Sequence, residues 1–159
     1  MARKILFLDI DGVLNSTDYM KNRETEGILG MDPQAVALLI DIIHKTDCKI
    51  VVSSSWRIIG LGPGSLYRSC LKKCDPARTV LKATIGHTPS CSGDNKTRRG
   101  NEIQRWMDTQ DFKGTFVIVD DGSDMGHLMG HLVQTTFQHG LTRELADEII
   151  RRLNLPEKH

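Results

Sequence analysis

A short apolar run near the amino terminus ends in two acidic residues and a glycine, and this pattern constrains the fold more than any other feature. Ile5–Leu8 is continuously apolar, as is typical of a strand buried on both faces of a parallel sheet. Asp9 and Asp11 follow directly, and Gly12 allows the backbone to turn. Buried unpaired carboxylates are unfavourable, and a divalent cation would offset that cost. The alternative, that both acids only cap and turn the chain, stays open at this point.

A second strand end of the same kind occurs late in the chain. The apolar run Thr115–Val119 ends in Asp120, Asp121 and Gly122. Open α/β sheets bind their ligands at the carboxyl ends of the strands. If the two runs form neighbouring strands, their carboxylates converge on one cation.

A third apolar run supplies groups of a different kind. Lys49–Val52 leads into Ser53–Arg57, which offers hydroxyl and backbone N–H groups suited to a phosphate oxygen. A basic cluster follows at Lys96, Arg98 and Arg99. Carboxylates for a metal, hydroxyls for an oxyanion and nearby cations together indicate phosphoryl-transfer chemistry.

Composition bounds the class of protein. With 159 residues, the chain has the length of one domain with a substantial core, and we expect residues 1–159 to form it. A hydrophobic content of 39% and a charged content of 26% are those of an ordinary globular protein. The formal net charge of +1 gives no global argument for nucleic-acid binding, so such an argument depends on local patches. The chain shows neither a membrane-length apolar run nor a leader pattern, which predicts a cytoplasmic protein without a membrane span.

The four cysteines do not follow a typical zinc-binding spacing. Cys70 and Cys74 would lie one helical turn apart, with His87 and Cys91 as the nearby candidates for further ligands. Reduced, packed thiols in a cytoplasmic protein are the favoured interpretation over a zinc site.

Strands and helices alternate along the chain, which predicts an α/β fold with a parallel sheet in three layers and right-handed crossovers. Asn15–Gly30 is polar and is predicted to be a surface excursion. The predicted strands are 4–9, 49–53, 79–85, 115–120 and 132–137. The predicted helices begin after Asp32, near Ser65, near Gly100 and after Thr142.

The order of these motifs resembles the haloacid dehalogenase (HAD) superfamily of phosphotransferases. The matching strings are Asp9–Val13, Val51–Ser53, a basic residue that opens a helix, and Val119–Asp121. The resemblance implies a Rossmann-like sheet of strand order 3-2-1-4-5. This order would place the first, second and fourth strands side by side. The intervals after the first strand and between the second and third leave no room for a large folded cap, so a minimal cap is expected.

Shorter strings narrow the resemblance within the superfamily. Ser53–Arg57, Arg99–Trp106 and Gly140–Thr142 look like the small HAD phosphatase domains of RNA-repair proteins. A more distant similarity links them to the phosphatase halves of polynucleotide kinase-phosphatases. The resemblance therefore implies a role in nucleic-acid repair.

The resemblance also implies roles for individual residues. Asp9 matches the nucleophile that becomes an aspartyl-phosphate, and Asp11 matches the general acid and base. Ser53 matches the hydroxyl that holds a phosphoryl oxygen, and Ser54 contributes to the same contact. The phosphate-binding basic residue, usually Lys in the family, is matched by Arg99, with Arg98 as its close competitor.

The metal ligands follow from the same match. The implied cofactor is Mg²⁺, held by Asp9, Asp11, Asp120 and Asp121. Asp124 lies one position closer to this pair than the commoner family spacing, so its role stays open.

These expectations combine into a function. The chain is expected to be a magnesium-dependent phosphomonoesterase that acts on a nucleic-acid terminus or nucleotide, with no membrane and no obligate protein partner. One alternative is a small-metabolite phosphatase in which residues 57–98 fold over the site as a lid. The other is a phosphate- or nucleotide-binding module without turnover, against which the Asp9 and Asp11 pair argues. Trp56 and Trp106 are interpreted as packing residues rather than as platforms for base stacking.

Overall fold

A parallel sheet of five strands, in the order β3-β2-β1-β4-β5, forms the centre of the molecule. The computed structural model describes residues 3–21, 30–56, 65–91, 94 and 96–156. The strands are β1 (Lys4–Leu8), β2 (Lys49–Val52), β3 (Thr84–His87), β4 (Thr115–Asp120) and β5 (Leu132–Gln134). The helices are α1 (Thr17–Lys21), α2 (Pro33–Thr46), α3 (Leu66–Cys74), α4 (Thr79–Ala83), α5 (Arg98–Thr109) and α6 (Arg143–Leu153), with a 3₁₀ helix at Gly126–His131. The expected α/β class and strand order are confirmed.

Two apolar layers cover the sheet, because successive side chains of a strand point to opposite faces. Leu6 and Leu8 of β1 are fully buried in one cluster with apolar residues of α2, α3, α4 and α6. Ile5 and Phe7 are fully buried in a second cluster with α5 and the 3₁₀ helix. The ring of Phe7 packs edge-on against Trp106 of α5, with ring centroids 5.5 Å apart. This contact confirms that Trp106 is a packing residue.

The strand register brings the polar strand ends to one level. Leu8 of β1 pairs with Val52 of β2 and with Val119 of β4. The pairing continues for one more residue, since Asp9 N–H donates to Val119 O at 3.0 Å and Ser53 N–H donates to Leu8 O at 2.7 Å. Asp9, Ser53 and Asp120 therefore form a row at the carboxyl edge of the sheet. By alternation, this row lies on the face that α5 covers.

Three helices begin at the polar residues that the sequence marks as caps. The side chain of Asp32 accepts the Gln34 N–H at 3.0 Å and precedes Pro33. Ser65 and Thr142 cap α3 and α6 in the same way. In the described part of the chain, no helix has both the length and the apolar character needed to span a membrane.

The third predicted strand, residues 79–85, is wrong over its first five residues. Residues 79–83 form helix α4, and the strand begins only at Thr84. Thr79 and Val80 favour strands, but the Asp75 carboxylate accepts the Val80 N–H at 2.8 Å and holds the first turn of the helix. Val80 and Ala83 then pack in the core layer with α2.

Two further boundaries differ from the prediction. Strand β5 ends at Gln134 rather than at Phe137, and the Thr135 hydroxyl donates to Gly12 O at 2.6 Å instead of facing a strand neighbour. The predicted surface excursion begins with buried residues, because Asn15 and Ser16 are almost inaccessible and α1 follows them. The rest of that excursion, residues 22–29, lies outside the described residues.

The packing of helices α3 and α4 bears on the alternative in which residues 57–98 fold over the site as a lid. Both helices contribute buried residues, such as Tyr67 of α3 and Val80 of α4, to the core on the face of α2. They belong to a structural layer of the domain, so the described residues of the interval 57–98 do not form a separate lid. Residues 57–64 lie outside the described part of the chain.

Candidate active site

Three carboxylates converge at the ends of β1 and β4. Each of Asp9, Asp120 and Asp121 offers an oxygen, and these oxygens lie within 4.8 Å of one another. Asp9 and Asp120 are buried, and Asp121 is half-buried. Among the described residues, this is the group of three or more acidic, His or Cys side chains that could hold a metal ion.

The buried carboxylates repel one another, and this repulsion raises their affinity for protons. Burial raises the pKa of Asp9 far above its ordinary value, and the nearby charge of Asp120 raises it further. Burial also raises the pKa of Asp120, although a hydrogen bond from Gly122 N–H opposes the shift. The charge of Arg99 lowers the pKa of both carboxyl groups. Burial and like charge oppose full ionisation of the group near neutral pH, and a bound cation would favour it, so this set of hard oxygen donors fits Mg²⁺.

Among the described residues, Arg99 is the cation that forms an ion pair with one of these carboxylates. Its Nε lies 3.6 Å from Asp120 Oδ2, and its Nη1 donates to Glu102 Oε1 at 3.1 Å. Glu102 is buried in α5 and also accepts the Cys91 N–H at 3.1 Å. Arg98, the competing candidate, is exposed at the start of α5. The guanidinium that faces the strand ends is therefore the second of the two consecutive arginines.

Asp11 lies apart from the group of three and is held by two hydrogen bonds. Its Oδ1 accepts the Asn15 side-chain N–H at 2.9 Å and the Trp56 indole N–H at 3.1 Å. Asn15 is itself fixed, since its Oδ1 accepts the Gly12 N–H at 2.9 Å. Trp56 is buried as expected of a packing residue, but its indole N–H also serves the site. Sequence reasoning missed this contact, and the signal for it was the closeness of Trp56 to the Ser53 hydroxyl motif.

Ser53 carries a buried hydroxyl without a partner. Its Oγ and Thr88 Oγ1 are the buried side-chain oxygens in the described part of the chain that form no hydrogen bond. Thr88 extends β3 as Ser53 extends β2, with its N–H donating to Val52 O at 3.0 Å. Buried hydroxyls are normally hydrogen-bonded, so an unpaired one at a strand end is suited to a ligand oxygen.

Ser54 contributes to the local structure around this hydroxyl. It is fully buried, and its Oγ accepts the Trp56 N–H at 3.3 Å. Ser54 thus shapes the turn that carries Trp56 towards Asp11.

Two glycines allow the backbone to approach closely around the carboxylates. Gly12 has a φ of +82°, and a Cβ atom there would lie 2.6 Å from the Asp121 carboxylate carbon. Gly100 lies in the first turn of α5, where a Cβ atom would collide with Met125 O. Its N–H donates to Asp124 O at 3.0 Å, so Asp124 holds the start of α5 through its backbone.

The comparisons with known proteins agree with this arrangement. A family model described as the HAD domain in Swiss Army Knife RNA repair proteins matches residues 5–146. The matched stretch includes all the candidate site residues described above. No curated protein and no solved structure matches the chain.

Proposed function

The chain belongs to the family of HAD domains in Swiss Army Knife RNA repair proteins, and from this premise we propose that it is a magnesium-dependent phosphomonoesterase. We further propose that residues 1–159 act as one domain and that the substrate is a phosphorylated nucleic-acid end or a nucleotide. The observation that carries the proposal is the row of Asp9, Ser53 and Asp120 at one sheet edge, with Arg99 beside it. A nucleophile, a hydroxyl donor and a cation then face one phosphoryl group.

In the first step, an Asp9 oxygen attacks phosphorus. The new O–P bond forms as the bond from phosphorus to the leaving oxygen breaks, and Asp9 becomes an aspartyl-phosphate. Asp11 donates a proton to the leaving oxygen, so the product leaves as an alcohol. Ser53 and the turn that includes Ser54 hold a phosphoryl oxygen, while Arg99 offsets the negative charge that develops in the transition state.

In the second step, water replaces Asp9 on phosphorus. Asp11, now ionised, takes a proton from the water as its oxygen bonds to phosphorus, and the bond from phosphorus to Asp9 breaks. Inorganic phosphate is released, Asp9 is again a carboxylate and Asp11 is again protonated. The two acids therefore return to their starting states after each turnover.

The residues that would hold Mg²⁺ are Asp9, Asp120 and Asp121, the set whose oxygens converge. Asp11 stays a further proposed ligand, with its Oδ1 accepting N–H groups of Asn15 and Trp56. When bound, the cation would offset the repulsion among the buried carboxylates and the charge of the phosphoryl group. The free thiols of the four cysteines are compatible with the cytoplasmic location that we propose.

The proposal is tested by replacing each catalytic acid with its amide. Asp9→Asn and Asp11→Asn should each abolish hydrolysis of phosphorylated oligonucleotides, mononucleotides and sugar phosphates in the presence of Mg²⁺. Asp111→Asn, at an exposed turn, is the matched control and should retain wild-type rates. Circular dichroism of each variant shows whether the fold is intact.

The outcomes separate the candidate functions. Wild-type rates in the Asp9→Asn variant would overturn the covalent mechanism. A wild-type protein that binds phosphate esters but hydrolyses none of them would instead be a binding module. Preference for sugar phosphates over oligonucleotides would favour the small-metabolite phosphatase.

A further inference from the structure

A surface of concentrated positive charge lies on α3 and α4, outside the candidate site. We call it the basic surface and define it by Arg68, Lys72, Lys73, Arg78 and Lys82. The chain has a formal net charge of only +1, and Asp75 is the sole acidic residue between Ser65 and Ala83. Asp75 is buried, and its carboxylate accepts the Val80 N–H, so it adds little negative charge outside.

Four cations of the basic surface differ from those of α2 and α6 in how they are paired. On α2 and α6, exposed cations form ion pairs within the protein, as Lys45 does with Asp41 at 3.1 Å and Arg143 with Asp147 at 2.6 Å. Lys72, Lys73, Arg78 and Lys82 form no ion pair with any acid of the described residues. Their charges are therefore available to an external anion.

Part of the basic surface is concave. Arg68, Lys72 and Arg78 line a cavity of about 410 Å³, which Ser69 and the buried Asp75 also border. Three cationic side chains and a hydroxyl around one cavity match the oxygens of a phosphodiester. An acidic protein would need carboxylates at that same spacing, whereas a nucleic-acid strand presents phosphates at regular intervals.

A short series of contacts links the basic surface to the candidate site. The thiol of Cys74, the last residue of α3, donates to Met31 O at 3.7 Å. Next to Met31, Gly30 O accepts the Asn15 side-chain N–H at 3.3 Å, and the same amide nitrogen binds Asp11. The end of α3 that carries Lys72 and Lys73 thus lies beside the segment that supports Asp11.

We propose that the basic surface binds the phosphodiester backbone of the nucleic-acid strand whose terminal phosphate occupies the candidate site. The proposal depends on the proposed function for the identity of that strand. Each phosphate that a cation neutralises releases a counterion, so binding through this surface weakens as salt increases. The surface would thereby favour a polynucleotide over a mononucleotide.

Binding of a single-stranded oligoribonucleotide with hydroxyl groups at both ends tests the surface without any hydrolysis. The variant is Lys72→Gln/Lys73→Gln/Arg78→Gln, and its matched control is Lys45→Gln/Lys113→Gln/Arg143→Gln, which removes the same charges elsewhere. With a fluorescent strand of about 12 nucleotides, the surface variant should raise Kd at least about tenfold at low salt. The slope of log Kd against log salt should fall by about 2, on the basis of about 0.7 per lost contact.

The outcomes separate failure of the basic surface as a nucleic-acid contact from failure of the proposed phosphatase function. Equal weakening in both triple variants, or no weakening in either, would overturn the basic surface, whatever the catalytic result. If the surface variant alone weakens binding while wild-type protein hydrolyses no phosphomonoester, the surface stands and the proposed function fails. Co-sedimentation of wild-type protein with anionic phospholipid vesicles, together with no RNA binding, would assign the surface to membranes instead.

A second inference comes from the two hydrogen bonds on Asp11 and also depends on the proposed function. Trp56 and Asn15 both donate to Oδ1 of Asp11, at 3.1 and 2.9 Å. Two N–H donors occupy the acceptor positions of Oδ1, which leaves Oδ2 as the oxygen open to a substrate. We infer that Trp56 and Asn15 are positioning residues that direct Oδ2 of Asp11 towards the leaving oxygen. Trp56 is buried, so packing fixes the direction of its indole N–H.

The test uses leaving groups that differ in their need for a proton. Trp56→Phe keeps an aromatic ring but removes the N–H, and Trp106→Phe is the matched change at a tryptophan that packs on Phe7. The value of kcat/KM covers the steps up to the departure of the leaving group. For Trp56→Phe, kcat/KM should fall at least about tenfold with a nucleotide as the substrate. A nucleotide is an alkyl phosphate ester, so its leaving oxygen needs a proton from a general acid. With p-nitrophenyl phosphate, whose leaving group needs no proton, kcat/KM should change little.

A structural defect would not distinguish the two esters. An equal loss of kcat/KM on both substrates, or no loss on either, would show that Trp56 does not act through Asp11. Trp106→Phe should change both values in the same proportion. A wild-type protein inactive on both esters would contradict the proposed function rather than the role of Trp56.

Discussion

At the scale of single residues, neighbouring acids of one motif lie in different environments. Asp9 is buried beside Asp120, where burial and like charge raise its pKa. Asp11, two positions later, is half-buried and bound by two N–H donors. The end of β1 thereby supplies two different carboxyl groups. A cation would favour the ionised form of Asp9, whereas hydrogen bonds hold Asp11 in place.

The first prediction at this scale concerns the stability of the metal-free protein. The pKa of Asp9 is raised from 3.8 to about 9, so the folded state holds a proton that the unfolded state releases. The free energy of unfolding should therefore fall as the pH rises through this range. We expect urea unfolding in chelator at about pH 5 and about pH 8 to show this loss, and Asp9→Asn to reduce it.

Added Mg²⁺ is the complementary measurement. Because the cation stabilises the ionised carboxylates, it should raise the unfolding free energy more at the higher pH than at the lower. Stability that is independent of pH in chelator, or a magnesium effect that is largest in acid, would contradict this account of Asp9.

The second prediction at this scale separates the two arginines at the start of α5. Arg99→Ala should lower kcat on the order of a hundredfold or more, because it removes charge that faces Asp120 and the transferring phosphoryl group. Arg98→Ala should have a much smaller effect, since Arg98 is exposed. Steady-state kinetics on one phosphomonoester compares them, and the reverse order of effects would show that Arg98 is the residue that serves the reaction.

At the scale of secondary-structure elements, the position of α5 depends on one residue without a side chain. Gly100 allows the first turn of α5 to touch the backbone at Met125, and Arg99 precedes it directly. The close contact fixes where the guanidinium of Arg99 lies relative to Asp120.

A larger residue at Gly100 should displace the start of α5 from the candidate site. Gly100→Ala places a methyl group against Met125 O, so the start of α5 must shift. We expect lower stability by about 1–3 kcal/mol and a loss of kcat that exceeds the loss for Gly130→Ala. A Cβ atom at Gly130 would meet open space, which makes that variant the control. Unchanged unfolding midpoints and rates in Gly100→Ala would show that the contact is not needed.

The sequence predicted the elements whose signal is local and strong. The apolar runs of β1, β2 and β4 end in polar residues, and those boundaries agree with the structure to within one residue. The register that aligns Asp9 with Ser53 depends on strands distant in sequence, so only the family resemblance implied it. The strand propensity of Thr79 and Val80 was misleading. The Asp75 carboxylate accepts the Val80 N–H, and this hydrogen bond stabilises a helix there.

Contacts between distant residues explain what was missed at the site. The hydrogen bond from Trp56 to Asp11 spans two strand ends, and its only sign in the sequence is that Trp56 closely follows Ser53. Glu102 was noted only as part of a motif, whereas the structure places it against Arg99 and the Cys91 N–H. Its burial depends on the packing of α5, which periodicity alone does not define.

At the scale of the whole molecule, charge is divided unevenly between the helices. The cations of α2 and α6 are paired with acids, while Lys72, Lys73, Arg78 and Lys82 form no ion pair with an acid of the described residues. A net charge of +1 conceals this division, because paired and unpaired cations count equally in the sum.

Chemical modification of lysines, with and without RNA, should distinguish the lysines of the basic surface from those elsewhere. We expect a single-stranded oligoribonucleotide to protect Lys72, Lys73 and Lys82 from an amine-reactive reagent, because phosphates would cover their ammonium groups. Lys45 and Lys113 serve as internal controls and should react equally in both conditions. Mass spectrometry of the peptides measures the extent of modification, and equal protection at all five lysines would contradict a localised contact.

The central position of β1 has a consequence for how the molecule forms. Its two neighbours, β2 and β4, come from segments far along the chain, so the chain must close long loops before the sheet is complete. During synthesis, the acidic end of β1 therefore stays without its β4 partner until residues 115–120 have left the ribosome. Asp9 meets Asp120 only when this late pairing forms. Recovery of the proposed phosphatase activity after denaturation would thus report completion of the long-range sheet rather than formation of any local unit.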